Sequence, residues 1–540
     1  MLCAPVAVFG AVVSFQLFGP VPIGLADNGD FPRVLGPLRL WPASVPPATR
    51  DSKSLFRYFT PRYVVSDPVY DPGIPNSEQY IALAALGVSR MFLPEGRFDL
   101  RAMGAIHALL MALALFWFLW ALRREAPWVR VLSAILILSM WTDVMYVQQF
   151  STAYTDAGAI AALCLAFSVA LIGLLTPEGS SLKWAVAFAL CAAFLLGTKL
   201  QHAFAIVPLG AFAIFMAARR ARTWPARIIW WSTPALLLAT VLFMVRETPD
   251  DYRRPPAFTV VFYKLAVLSK EPDRVLAAFH MSVEEFGKYV GHYVYEPMVP
   301  TDESFHKRIL ALVTPARIAS FYVHNPDVLI KVVRSDWLQY ASLVNLHVYF
   351  GHMREADTIA GKASPDFHVW SGSRTALFRF APFYPLAFFG LALGLCLAGL
   401  VSGKMRARFP LWPVPAMMAF TAIACFLSSS LLDASETARH LVLFQAAEDL
   451  TILALFLSIA TRASIGAGEV FENRFAQQRR REQALRKNEV VKFLNVESWP
   501  HGLFRGLTNP EQTGQTIEVG HGLTGAPESK PLHFFSGEGL

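Results

Sequence analysis

The sequence predicts an all-α polytopic membrane protein with about ten transmembrane helices and two large exoplasmic loops. Three observations carry this expectation. Hydrophobic residues make up 54% of the 540 residues. Charged residues make up only 16%, against about 25% in an ordinary soluble domain. The apolar residues also fall in blocks near the length of about 20 residues that a helix needs to cross a bilayer.

Ten blocks qualify: residues 3–25, 101–122, 128–147, 154–175, 183–198, 202–218, 227–245, 381–401, 411–431 and 441–460. The first has no basic segment before it and no small-residue cleavage site after it. It is therefore expected to be a retained span, not a signal peptide. Orientation follows from basic residues, which concentrate in cytoplasmic loops. Arg123, Arg124 and Arg130, Lys183, Arg219, Arg220, Arg222 and Arg227, and Lys404, Arg406 and Arg408 fall in alternate loops. Arg462 and the run Arg479, Arg480, Arg481 follow the last block. All of these share one side if both termini are cytoplasmic, as in a multi-pass protein of the bacterial inner membrane. The same distribution accounts for the net charge of +8 and argues against nucleic acid as a partner.

The expected organisation has four parts. Residues 1–245 form an N-terminal transmembrane module, which includes a first exoplasmic loop at 26–100. Residues 246–380 form a large exoplasmic domain with short helices such as 272–293 and 325–346. Residues 381–461 hold the last spans, and 462–540 form a basic, partly disordered cytoplasmic tail with a basic helical stretch at 471–490. The first loop is proline-rich (Pro32, Pro37, Pro42, Pro46, Pro47, Pro61, Pro68, Pro72, Pro75), so its first half is expected to be irregular. Its end, 77–93, has the apolar spacing of an amphipathic helix lying at the interface. Cys3, Cys164, Cys191, Cys396 and Cys425 sit in apolar blocks without metal-ligand spacing, as packing residues do.

Four polar constellations fall on the side opposite the basic loops. Asp27-Asn28-Gly29-Asp30-Phe31-Pro32-Arg33 puts two carboxylates at the membrane boundary. They read either as a hydrated turn with a capping aspartate or as a general base, and two like charges so close would raise one pKa. Gln148 to Asp156 offers amides, hydroxyls, the Tyr154 ring and an acid, groups that bind sugar hydroxyls; Asp156 also suits a helix N-terminus. Thr198-Lys199-Leu200-Gln201-His202 places a lysine where positive charge is otherwise scarce, either snorkelling or binding a lipid phosphate. Asp433 to His440 holds Glu436, Arg439 and His440 at helical spacing. That is either a structural salt bridge or a phosphate-binding arginine steadied by Glu436.

Together these residues resemble the GT-C class of integral-membrane glycosyltransferases. The resemblance rests on the acidic motif right after the first span, the large loop after the seventh, and the late Glu436-x-x-Arg439-His440. Within the class, Asp27-Asn28-Gly29-Asp30-Phe31, Tyr154-Thr155-Asp156, Thr198-Lys199-Leu200-Gln201, His324-Asn325-Pro326 and the stretch 371–380 look like a bacterial glycan-biosynthesis hexosyltransferase family. It covers roughly residues 1–460, and the tail has no counterpart in it. It implies inverting transfer of one sugar, hexose or pentose, from a polyprenyl-phosphate donor to a glycan, lipid-linked or protein acceptor. Asp30 would be the base, with Asp27 the second choice. Lys199, Arg439, His440 and Glu436 would serve the donor phosphate. Gln149, Tyr154, Asp156, Arg33, Gln201 and His202 would line the sugar and acceptor pocket. Some members of the class use a divalent metal; with no clear metal cluster in the sequence, no cofactor is expected. The rival readings are a polymerase or ligase using a polyprenyl-diphosphate donor, and a lipid-linked glycan transporter or flippase.

Overall fold

The computed structural model describes residues 3–19, 23–25, 27, 28, 30–44, 56, 57, 62–66, 74–340, 350–352, 367–432 and 437–462. By its contacts the chain divides into Met1–Glu469 and Val470–Leu540. All the described residues belong to the first unit. The helix expected at 471–490 lies outside them.

Helices occupy all ten expected positions, but not all are full spans. Seven are long and apolar enough to cross a membrane: Arg101–Ala121, Asp156–Leu175, Leu200–Arg219, Trp224–Glu247, Tyr384–Val401, Pro413–Leu432 and Val442–Arg462. Pro127–Trp141 and Val144–Phe150 make an eighth when taken as one broken span, bent by 57°. The remaining two, Cys3–Phe18 and Leu182–Leu196, have 16 and 15 residues. At about 1.5 Å per residue they fall short of a hydrocarbon core of about 30 Å. Among the described residues, seven to eight helices are therefore long and apolar enough to span, fewer than the ten expected.

The first helix was expected to reach Leu25 and stops at Phe18. Gly19 and Pro20 follow in the sequence, and proline lacks the N–H that a helix interior needs. Ile23–Leu25 instead pairs antiparallel with Phe350–His352. The broken span has its own cause in Asp143. One oxygen of this buried carboxylate accepts from Met145 N at 3.0 Å, capping the second piece. The other accepts from Ser371 N at 2.9 Å. Gln16 Nε2 donates to the freed Thr142 carbonyl at 2.8 Å.

The described part of the first loop forms a small sheet and a helix. Leu40–Pro42, Arg62–Val65 and Arg97–Asp99 pair antiparallel, with Arg62–Val65 in the middle. Glu78–Phe92 is the amphipathic helix, within one residue of expectation at either end. Ile81, Ala82, Ala85 and Leu86 face a core shared with Phe31, Tyr63, Phe98 and Tyr154. Tyr80, Leu83, Met91 and Phe92 are exposed, a composition suited to lipid contact. The second loop has a separate core of Phe258, Phe262, Phe279, Phe286, Tyr289, Phe305 and Phe321. The helix expected over 272–293 is broken into Pro272–Ala278, Val283–Phe286 and a 3₁₀ turn at Gly287–Tyr289. The one expected over 325–346 is described as Pro326–Tyr340.

Asp156–Leu175 is the central helix, buried along nearly its whole length. The two ends of the bundle differ. At one, Arg123 and Arg124 lie 2.9 and 3.7 Å from Glu178, tying two basic loops together. The other carries the polar segments described below.

The bundle also holds a buried ionic network. Arg374 reaches Glu448 at 2.5 Å and Asp449 at 3.3 Å. Tyr146 and Trp370 donate to the other oxygen of Asp449 at 2.5 and 2.8 Å. The network joins the helices Val144–Phe150, Val369–Phe380 and the last span. Removing one partner of a buried ion pair leaves an uncompensated charge. Arg374→Ala is thus expected to cost about 3–5 kcal/mol, read as a lowered melting temperature in detergent. Neutralising the acids in the same chain (Glu448→Gln with Asp449→Asn) should recover part of the loss.

Candidate active site

Four segments far apart in sequence meet at the end of the bundle opposite Glu178. Asp30 lies between two guanidinium groups. Arg33 Nη2 is 2.8 Å from Asp30 Oδ1, and Arg439 Nη2 donates to Asp30 Oδ2. Arg439 is itself buried, with its Cζ 4.4 Å from the centroid of the Tyr154 ring. A flat guanidinium over an aromatic face is favourable and fixes its plane. Phe31 packs edge-on against the same ring, at 4.8 Å between centroids.

Arg439 also donates to His440 Nε2 at 3.1 Å. The side-chain amide of Gln201 lies 3.0 Å from His440 Nδ1. Ser429 Oγ donates to the His440 carbonyl at 3.1 Å, steadying the short helix Thr437–His440 against the preceding span. Lys199 Nζ is 3.6 Å from Asp156 Oδ1. Asp156 opens the central helix, with Thr155 at the N-cap position, so its carboxylate serves the lysine instead of capping its own helix.

The other expected residues are placed as follows. Asp27 is buried, and its Oδ1 accepts from Phe31 N at 3.2 Å, holding the turn that carries Asp30. Arg33 lies over the Tyr252 ring at 5.0 Å. His202 is buried, with Nδ1 2.9 Å from Thr198 Oγ1. Gln149 is fully buried, and its amide atoms have no hydrogen-bond partner among the described residues. Glu436 lies outside the described residues.

For Asp30 the electrostatic expectation is reversed. Two neighbouring carboxylates were expected to raise a pKa. Burial does push the Asp30 carboxyl up, but Arg33, Arg439 and Lys199 outweigh it and hold the group well below the ordinary carboxylate range. The reason is that Asp30 faces cations from three segments, whereas Asp27 turns toward Phe31 N. A carboxylate with a depressed pKa stabilises the fold above its unfolded value of about 3.9, and loses that contribution as pH falls toward the folded value. The melting temperature of wild type minus that of Asp30→Asn should hold steady from neutral pH down to about 4 and shrink below it.

Sequence reasoning missed two sets of residues. Glu78 and His107 are fully buried and 2.7 Å apart beside the site. Glu78 was hidden because a glutamate at the start of an amphipathic helix reads as a favourable first-turn acid. Glu448 and Asp449 sit inside the last span, where an acidic pair is a functional candidate by default. That signal was present in the sequence.

No curated protein matches the chain. A family model does, over residues 2–482. With seven to eight apolar spans and a match over nearly its whole described length, the chain is a multi-pass membrane protein and belongs to the family of the YfdI N-terminal transmembrane domain.

Proposed function

We propose that this protein is an inverting, GT-C-like glycosyltransferase, moving one sugar from a polyprenyl-phosphate donor to a glycan, lipid-linked or protein acceptor. The reaction takes place on the extracytoplasmic face of the bacterial inner membrane, with both termini in the cytoplasm. The observation that carries the reading is the meeting of Asp30 with Arg439, on the face of Tyr154, beside the pair Lys199–Asp156. The orientation is supported by the opposite end of the bundle, which carries Arg123 and Arg124.

In this reading the acceptor oxygen attacks the anomeric carbon as the bond from that carbon to the phosphate oxygen breaks. Asp30 takes the acceptor's proton. The polyprenyl phosphate leaves with the bonding electrons and gains one negative charge. Arg439 and Lys199 stabilise that charge, the arginine with a two-pronged donor set and the lysine as a point charge. No cofactor enters the step. In the resting arrangement both oxygens of Asp30 face a guanidinium. A donor phosphate competes with Asp30 for Arg439, and in taking it frees Oδ2 to accept a proton. Donor binding thereby switches on the base.

The test is transfer of labelled sugar in proteoliposomes containing the full chain. Label should move from a polyprenyl-phosphate sugar to acceptor with inverted anomeric configuration. Use of a polyprenyl-diphosphate glycan instead would favour the polymerase or ligase reading. Movement of intact lipid across the bilayer without consumption would favour the flippase.

A further inference from the structure

The segment Asn76-Ser77-Glu78-Gln79 touches three of the four site segments. Asn76 Nδ2 and Gln79 Nε2 donate to the Arg33 carbonyl at 3.3 and 3.0 Å, holding the segment that carries Asp30. Ser77 N donates to the Gly197 carbonyl at 2.8 Å, two residues before Lys199. Glu78 reaches the third. Its Oε2 accepts from Gly158 N at 3.1 Å, one of the N–H groups that the start of the central helix leaves without an internal partner. Its Oε1 lies 2.7 Å from His107 Nε2, and His107 Nδ1 donates to the Phe150 carbonyl at 2.8 Å.

The chain Phe150–His107–Glu78–Gly158 therefore brackets the turn 151–157, which carries Tyr154 and Asp156. Any side chain at either glycine would crowd this segment. A Cβ on Gly158 would stand 2.1 Å from Glu78 Oε2, and one on Gly197 would stand 2.4 Å from Ser77 Oγ. Glu78 and His107 are fully buried and so contact no solvent.

Resting on the transferase reading above, we infer that Glu78, through His107 and Gly158, is a positioning residue for the transfer reaction. It sets where Tyr154 and Asp156 stand, and through them the orientation of Arg439 and Lys199. Asn76, Ser77 and Gln79 bind the other two segments to the same point. A displacement of about 1 Å in such a support can cost about a hundredfold in rate.

Glu78→Ala and Glu78→Gln separate this role from mere stability. Glutamine keeps the geometry: its oxygen accepts from Gly158 N–H, its NH₂ donates to His107 Nε2, and Nδ1–H still donates to Phe150. Glu78→Ala should lower kcat by about a hundredfold, with a smaller change in donor KM, and Glu78→Gln should recover most of it. Hydrogen exchange of peptides covering 151–158, measured on full-length protein in nanodiscs, should quicken in Glu78→Ala and stay near wild type in Glu78→Gln. Unchanged kcat in a properly folded Glu78→Ala protein overturns the inference. So does a Glu78→Gln protein as slow as Glu78→Ala with exchange still protected, because charge and not position would then matter. If wild type transfers no sugar, the transferase reading fails by itself. Exchange then decides whether Glu78 holds the turn, and unchanged exchange in Glu78→Ala overturns that as well.

Discussion

Asp30→Asn is expected to lower kcat by about two to four orders of magnitude, the range for losing a general base, at an unchanged protein level. The size follows from the chemistry: asparagine has no lone-pair oxygen basic enough to take a proton from an attacking hydroxyl. The structure adds a signature to this loss. In the proposed mechanism Asp30 competes with the donor for Arg439, and the variant abolishes the Asp30–Arg439 ion pair. Donor affinity should therefore be equal or tighter in Asp30→Asn while turnover collapses, so kcat and KM fall together. A variant that lost only folding would lower the active fraction and leave the KM of the survivors unchanged. Asp27→Asn is the comparison. Its side-chain oxygen can still accept from Phe31 N, as Asp27 does at 3.2 Å, so its effect should be the smaller one. Full activity in both variants would remove the carboxylate base from the mechanism.

Arg439→Ala carries the second large effect. Arg439 bonds Asp30 and His440 and stacks on Tyr154. Losing one preorganised donor to a developing anion typically costs about 10²–10³ in kcat, and in the proposed mechanism the same group also binds the ground-state phosphate. Both kcat and donor KM should worsen, unlike in Asp30→Asn. Arg439→Lys should recover little, because an ammonium offers neither the planar fork for two oxygens nor the stacked face on Tyr154. The double variant Asp30→Asn/Arg439→Ala should be far from additive, since each residue acts on the other. Wild-type kinetics in Arg439→Ala would sink the donor-phosphate assignment and, with it, the switching of Asp30 by donor.

The tertiary structure revises three sequence expectations for identifiable reasons. Two of ten apolar blocks became helices too short to span: block 3–25 because hydropathy counts apolar residues whether they are helical or in a strand such as Ile23–Leu25, and block 183–198 because its apolar run is itself short, forming the 15-residue helix Leu182–Leu196. The third span broke at Asp143, whose carboxylate caps a second helix and receives a bond from Ser371, 228 positions away. Asp30 proved to be a depressed acid, because what sets its pKa is the arrival of Arg439 from 409 positions along the chain. No local window contains either partner. The amphipathic helix at Glu78–Phe92 was legible, yet the use made of its first residue was not.

The sequence by itself determined where the apolar helices lie, which stretches carry polar chemistry, and that basic loops and polar stretches alternate along the chain. These properties depend on residues next to one another, and a bilayer imposes them segment by segment. Only the tertiary structure decided which polar groups meet: Asp30 with Arg439, Lys199 with Asp156, Glu78 with Gly158. Such pairings depend on how helices pack and where each helix begins. A shift of one residue along a helix turns a side chain by about 100°, which is enough to make or abolish a contact of 3 Å.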